Sequence, residues 1–102
     1  MFNYNVEFIS GDIHEVANYI SDVDDVTLEY DLDCSACTWT YSGKSVIWFD
    51  ENTITIPIMI HELGHVVFGM MDRMGLELRD QEVFCYTQEY LIREVLKYIR
   101  FN

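Results

Sequence analysis

Hydrophobic residues recur every three or four positions between residues 55 and 74, which is the period of an amphipathic α-helix. The apolar positions form one continuous face, made of Met59, Ile60, Leu63, Val66, Val67, Met70, Met71 and Met74. The opposite face carries His61, His65, Gly69 and Asp72, with Glu62 at its margin. Pro57 is tolerated in a first helical turn, and Gly75 is a suitable stop signal. We therefore predict one helix over residues 55–74.

The rest of the chain alternates between extended and helical patterns. Segments rich in Val, Ile, Thr and aromatic residues predict strands at residues 2–9, 26–32, 38–41 and 45–50. A short helix over residues 12–23 begins at Ser10 or Asp12, and a final helix runs from Asp80 to Ile99. This order predicts an α+β fold, in which a small, mostly antiparallel sheet packs on the motif helix and the C-terminal helix. The whole chain, residues 1–102, is expected to form a single domain.

The formal net charge of −12 is large for a chain of this length. Such a surface repels nucleic acids and anionic membranes and favours basic or neutral protein partners. No apolar run approaches the roughly 18 residues that a membrane-spanning helix needs. The first residues lack the basic and then apolar pattern of a signal peptide, so a cytoplasmic protein is expected.

The three cysteines do not suggest a disulfide framework, because their number is odd. Cys34 and Cys37 have C-x-x-C spacing, which occurs in metal and redox sites. No second pair completes a structural zinc site, and the pair lies between strand-like segments. A metal or redox role and a chance occurrence in a hairpin both remain open for this pair.

The segment from His61 to His65 reads His-Glu-Leu-Gly-His, and it lies within the predicted motif helix. Residues four apart share one helical face, so the two imidazoles can bind one metal ion. Glu62 lies beside the pair, where a carboxylate can take a proton from a metal-bound water. The spacing therefore predicts a zinc site with Glu62 as its general base.

A catalytic zinc ion commonly has three protein ligands and one open position, so a third ligand must be found. Asp72 lies about 10 Å along the helix axis from His65, which is too far. Glu82 and Glu89 are seven residues apart on the last helix and share nearly the same face. An unbroken motif helix with an antiparallel return brings Glu89 level with His65, whereas a steep crossing favours Glu82. His14, on a separate helix, is a further alternative.

The histidine motif followed by a glutamate on the next helix resembles the gluzincin class of zinc peptidases. Residues 45–98 also look like small phage- and prophage-encoded proteins and like the repressor-cleaving metallopeptidases of mobile elements. The resemblance implies a minimal zincin-like core, a Zn²⁺ cofactor and a metal site formed by His61, His65 and Glu82. It further implies a peptidase that acts on a protein or peptide substrate in a bacterial host cytoplasm.

A zinc peptidase also needs a hydrogen-bond donor for the oxyanion that forms on the scissile carbonyl. Tyr86 is the predicted donor, because it lies one helical turn beyond Glu82, and Tyr90 is the second choice. The resemblance implies that the strand at residues 45–50, or one of its neighbours, pairs with the substrate backbone. A second wall for the cleft would come from a large substrate or from a homodimer.

Two other functions remain open beside the metallopeptidase. One is a non-enzymatic acidic interaction or inhibitor protein that mimics a nucleic acid with ordered carboxylates. Its candidate residues are Asp22, Asp24, Asp25, Glu29, Asp31 and Asp33. The other is a structural metal-binding protein, in which four protein ligands close the site and Glu62 has no chemical role.

Overall fold

A computed structural model describes residues 5–31, 33–75 and 81–101, and for residues 81 and 82 it describes the backbone only. The chain forms a small α+β fold with a three-stranded mixed sheet and three helices. The elements are β1 (Asn5–Ser10), α1 (Ile13–Asp24), β2 (Ala36–Tyr41), β3 (Lys44–Phe49), α2 (Ile56–Arg73) and α3 (Gln81–Tyr98). The predicted N-cap Asp80 and residues 2–4 of the predicted first strand lie outside the described residues.

The sheet has the strand order β1-β3-β2, so β3 is central and β2 is an edge strand of the described sheet. β2 and β3 pair in antiparallel fashion, whereas β1 and β3 are parallel, with Asn5 opposite Lys44. The prediction of a mostly antiparallel sheet was therefore wrong for one of these two pairs. Residues 26–31, predicted to form a strand, have no regular structure, because they cross over between α1 and the hairpin.

A two-residue turn joins β2 to β3 at Ser42 and Gly43. Both residues have positive φ angles, 48° and 74°, which is typical of the turn that matches the twist of a β-hairpin. The turn fixes the register in which Thr38 pairs with Ile47 and Thr40 with Ser45. Since side chains alternate along a strand, Thr38 and Thr40 point to the same face of the sheet.

Helix α1 covers one face of the sheet. Asp12 caps its N-terminus as predicted, since the Asp12 side chain accepts a hydrogen bond from the Glu15 backbone N–H at 3.0 Å. The helix buries its apolar side against the sheet in a cluster of Ile13, Val16, Ala17, Ile20, Trp39, Val46 and Trp48. We call this side of the sheet the α1 face.

Helix α2 covers the other face, which we call the α2 face. It begins after the N-cap Thr55, has Pro57 in its first turn, and is followed by Gly75 at a φ of 71°. The predicted helix is therefore confirmed almost residue for residue. Its buried side chains are Met59, Glu62, Leu63, Val66, Val67, Met70 and Met71. Ile60 and Met74, predicted to be buried, are 38% and 40% exposed.

Helix α3 returns antiparallel to α2 and completes the apolar cluster of the α2 face. The Phe84 ring, near the start of α3, lies 5.3 Å from the Phe68 ring, near the end of α2. Towards its other end, Ile92 and Leu96 adjoin Ile60, near the start of α2. Leu91 and Val95 are buried, whereas Leu96 is half exposed. None of the described helices is both long and apolar enough to cross a bilayer.

Candidate metal centre and adjoining cleft

The two histidines of the motif converge on the exposed side of α2. Their Nε2 atoms are 3.2 Å apart, and the rings meet edge to face with centroids 4.9 Å apart. Two nitrogens bound to one tetrahedral zinc ion, each at about 2.0–2.1 Å, lie about 3.3 Å from one another. The donor atoms of His61 and His65 therefore fit a shared metal ion. A hydrogen bond from one ring to the other is also compatible with this distance.

The glutamate between the histidines lies in a different environment. Glu62 is only 8% exposed and is the one buried acidic residue among the described side chains. Its carboxylate oxygen Oε2 accepts a hydrogen bond from the hydroxyl of Thr38, which lies on strand β2. The Thr38 hydroxyl is also 3.5 Å from the backbone carbonyl oxygen of Glu62. A carboxylate is thus held between the motif helix and the edge of the sheet.

An open cleft of ≈ 470 Å³ lies between β2 and α2. Its described lining residues are Asp31, Cys34, Ala36, Cys37, Thr38, Thr40, Glu62, His65 and Gly69. Glu62 and His65 therefore open onto one space, although they point to different sides of the helix. None of these lining residues is a lysine or an arginine, so the charge inside the cleft is negative. The edge strand β2 forms one wall through Ala36, Cys37, Thr38 and Thr40.

The third ligand is only partly defined by the described residues. The predicted ligand Glu82 belongs to α3, but its side chain lies outside the description. Because α2 is unbroken and α3 runs antiparallel, Glu89 falls near the level of His65. Its carboxylate, however, pairs with Arg93 at 2.5 Å on the same helix. Among the described side chains, no three His, Cys, Asp or Glu residues are grouped closely enough to hold a metal ion.

The other alternative, His14, is separated from the histidine pair by the sheet. It lies on α1, where its Nδ1 atom makes a hydrogen bond with the hydroxyl of Tyr30. The two rings also meet edge to face, with centroids 5.6 Å apart. His14 is therefore held on the α1 face and does not approach the motif.

The tyrosines predicted to stabilise an oxyanion do not lie in the cleft. Tyr86 and Tyr90 project from α3 and are 68% and 60% exposed. Neither residue lines the cleft beside Glu62 and His65. Their role stays a prediction that the geometry of the described residues does not support.

The cysteine pair lines the cleft mouth but has poorly reactive thiols. Burial, the neighbouring Cys34 and the nearby Glu62 together raise the pKa of Cys37 to about 11. Burial and then Asp31 raise the pKa of Cys34, whose thiol donates to the backbone oxygen of Asp31 at 2.8 Å. Reactive cysteines have lowered pKa values, so these thiols are expected to be inert at neutral pH. Cys85, on α3, is exposed.

The acidic segment near the end of α1 is partly tied to the hairpin. Asp24 pairs with Lys44 at 2.7 Å and accepts a hydrogen bond from the Tyr41 hydroxyl at 2.6 Å. The Lys44 hydrogen bond and then the Tyr41 hydrogen bond lower the pKa of Asp24. Asp22, Asp25, Glu29, Asp31 and Asp33 are exposed. They lie on one continuous segment that leads to the mouth of the cleft.

Thr38 is the site residue that the sequence alone did not reveal. It lies 24 positions before its partner Glu62, and no motif connects the two residues. The alternation of side chains along β2 was the available signal, since it places Thr38 on the face that α2 covers.

No protein-family model, curated protein or solved structure matches this chain. The gluzincin resemblance therefore depends on the motif residues themselves.

Proposed function

We propose that this protein is a zinc-dependent metallopeptidase with a minimal, gluzincin-like zincin core. The observation that carries the proposal is the 3.2 Å approach of the two Nε2 atoms beside a cleft that contains a buried carboxylate. His61 and His65 would hold the metal, with Glu82 as the preferred third ligand and Glu89 as the alternative. Glu89 becomes available only when its carboxylate leaves Arg93.

The chemistry divides between the metal and Glu62. A bound zinc ion would supply a water whose pKa is lowered towards neutrality and a positive charge for the carbonyl oxygen of the substrate. Glu62 would act as the general base that accepts the proton of that water and as the general acid that donates it to the leaving amine. Glu62 is largely buried and lines the same cleft as His65, which would bring the base and one metal ligand to the same space.

The cleft favours an extended peptide as the substrate. Strand β2 borders the cleft and is an edge strand of the described sheet, so a peptide can pair with its backbone. Asp31 and Glu62 line the cleft without a compensating cation among the described lining residues. Basic or neutral side chains near the scissile bond are therefore preferred over acidic ones.

The first experiment measures metal content by elemental analysis of untagged protein purified without chelators. We expect roughly one zinc ion per chain, which His65→Ala should abolish because two ligands are then too few. His14→Ala is the matched control, since His14 is held on the α1 face by Tyr30. A metal content that falls equally in both variants, or that is absent from the wild type after zinc is added, contradicts the proposal.

The third ligand and the reaction are tested with further variants. Glu82→Gln and Glu89→Gln are compared for zinc affinity, and the true ligand is the one whose loss weakens binding by about 10-fold or more. Cleavage of a labelled protein such as casein is then compared between the wild type and Glu62→Gln at full zinc loading. If the Glu62→Gln variant retained the biological function of the wild type, a structural metal site would be favoured instead.

A second candidate function is a non-enzymatic acidic interaction protein. It is favoured by the exposed carboxylates of residues 22–33, where five acidic side chains project from the end of α1 and the segment that leads to β2. Such a surface suits a basic partner of the kind that ordinarily binds nucleic acid. Replacing those five residues with their amides should abolish this function and leave zinc content unchanged. If the protein is a metallopeptidase, its function should instead be lost when residues of the histidine motif are replaced and should survive replacement of the five acidic residues.

A further inference from the structure

We propose that Thr38 is a positioning residue for Glu62. Its hydroxyl holds the Oε2 atom of the carboxylate, so that Oε1 is the oxygen that takes the proton of the attacking water. The inference rests on the proposed function, because a positioned base matters only if a metal-bound water is present. It adds a residue outside the histidine motif to the machinery of the site.

The first support is the contact itself. The Thr38 hydroxyl donates to Oε2 of Glu62, and no other described side chain makes a hydrogen bond with this carboxylate. A glutamate side chain has three rotatable bonds, so its carboxylate is not fixed by the helix backbone. A donor on a separate, rigid element can select one arrangement. Strand β2 supplies that element, since its register with β3 is fixed by the two-residue turn.

The second support is the chemistry of the donor. Glu62 is only 8% exposed as a residue, and its carboxylate requires a hydrogen-bond partner, because burying an unpaired charge is costly. A lysine or arginine partner would neutralise the charge and occupy both oxygens, as the bidentate arginine pairs do. A hydroxyl has one proton to donate, so it satisfies one oxygen and leaves the other available. The Thr38 hydroxyl is therefore a suitable partner for a general base, because it leaves one oxygen of Glu62 available to accept a proton.

The third support is the location of Thr38 on the wall of the cleft. The strand that would pair with a peptide substrate is the same strand that holds Glu62. A substrate bound to β2 would therefore also restrict the motion of the strand from which Thr38 holds Glu62. Thr40 provides an internal comparison, because it lines the same cleft and faces the same way. Its hydroxyl, however, contacts the Ser45 hydroxyl at 3.0 Å and not Glu62.

The test uses the full chain loaded with Co²⁺ and the small chelator acetohydroxamic acid as the probe. This acid binds a metal through two oxygens and gives its hydroxyl proton to a neighbouring base, so its affinity depends on the position of Glu62. Binding is followed by the visible absorption of cobalt in wild type, Thr38→Val, Thr38→Ser and the control Thr40→Val. Thr38→Ala is a second deletion of the hydroxyl in case valine disturbs folding.

We expect Thr38→Val and Thr38→Ala to bind acetohydroxamic acid about 10-fold more weakly, which is about 1.4 kcal/mol. Thr38→Ser, which keeps the hydroxyl, and Thr40→Val should stay within about 2-fold of the wild type. Cobalt affinity itself should be the same in all variants. Rescue by serine distinguishes positioning from a general loss of packing, because serine loses the methyl group and keeps the donor.

The unfavourable outcomes are distinguishable. If the wild type binds neither cobalt nor zinc, the proposed function fails and the role of Thr38 fails with it. If cobalt and acetohydroxamic acid bind to the wild type and Thr38→Val binds the acid equally well, only the positioning role is overturned. If Thr40→Val weakens the acid as much as Thr38→Val, the effect belongs to the cleft wall in general and the specific role is again overturned.

Discussion

The two faces of the sheet use polar groups in opposite ways. On the α1 face, each indole N–H meets a backbone carbonyl, since Trp39 donates to Glu29 at 2.8 Å and Trp48 to Gly11 at 2.9 Å. These bonds fasten the segments before and after α1 to the sheet. On the α2 face, the buried polar groups are the Ser45 hydroxyl, which meets that of Thr40 at 3.0 Å, and the Glu62 carboxylate, which opens onto a cleft.

The indole groups of the α1 face stabilise the fold, whereas the Glu62 carboxylate of the α2 face contributes little to its stability. A neutral indole paired with a carbonyl stabilises the structure by about 1 kcal/mol. A buried carboxylate held by one hydroxyl is at best a small gain, because its desolvation opposes the hydrogen bond. Residues that lower the stability of the fold and have no evident structural role are typical of functional sites. The comparison therefore supports the proposal that the functional site lies on the α2 face.

The largest expected effect comes from Glu62→Gln. Loss of the general base should lower peptide hydrolysis by about 10²–10⁴-fold. The glutamine amide oxygen can still accept the hydrogen bond from the Thr38 hydroxyl, and the substitution removes a buried charge. The free energy of unfolding, measured with urea on the metal-free chain, should be unchanged or higher. A clear loss of stability would show that Glu62 completes the fold as the α1-face groups do, and would break the comparison.

The next effect concerns Cys34 and Cys37, which adjoin the α1-face cluster and also line the cleft. With its pKa raised to about 11, Cys37 has only a small thiolate fraction at neutral pH. Alkylation by iodoacetamide should therefore be about 100-fold faster at the exposed Cys85 than at Cys37. Peptide mass mapping over time measures the rates, and denatured protein, in which all three cysteines react, is the control. Fast reaction at Cys37 would mean that the cleft wall opens readily.

A smaller effect is expected on the α1 face from Trp48→Phe. The substitution removes the donor to the Gly11 carbonyl and part of a side chain that is 95% buried. The free energy of unfolding should fall by about 1–3 kcal/mol, as judged by urea denaturation. Zinc content and hydrolysis should be unaffected below the unfolding transition. Loss of zinc from the folded variant would show that the two faces are coupled.

The smallest effect is that of Asp24→Asn at the end of α1. Its folded pKa is lowered by Lys44 and Tyr41, so the Asp24 charge stabilises the fold above the usual pKa of 3.8. This contribution is lost as the pH falls through the lower folded value. The stability difference between wild type and variant should therefore be present at neutral pH and vanish in strong acid. A difference that persists there would assign the effect to packing, and Lys44→Met is the matched control.

The elements that could be predicted from the sequence are those set by local chemistry. Helix α2 was predicted from its period and from the signals at Pro57 and Gly75, and the strands of the hairpin from their extended, β-branched and aromatic residues. Each of these depends on neighbours within a few residues. The close approach of the His61 and His65 rings follows in the same way from a spacing of four on one helix.

The features that were missed depend on contacts between distant segments. The parallel pairing of β1 with β3 joins Asn5 to Lys44, and no local pattern distinguishes it from an antiparallel pair. The helical period placed Glu62 at the margin of a face, but whether that margin is buried depends on where β2 lies. Thr38 became a candidate only when β2 and α2 were placed together.

The order of the elements along the chain has a consequence for how the molecule folds. The hairpin β2–β3 and the helix pair α2–α3 join segments that are neighbours in sequence, whereas β1 must find β3 across 39 positions. Since closing a long loop is slower than closing a short one, the contiguous segment from Ala36 to Tyr98 can assemble first. The cleft and its histidines would then form during folding before the N-terminal strand and α1 dock on the opposite side.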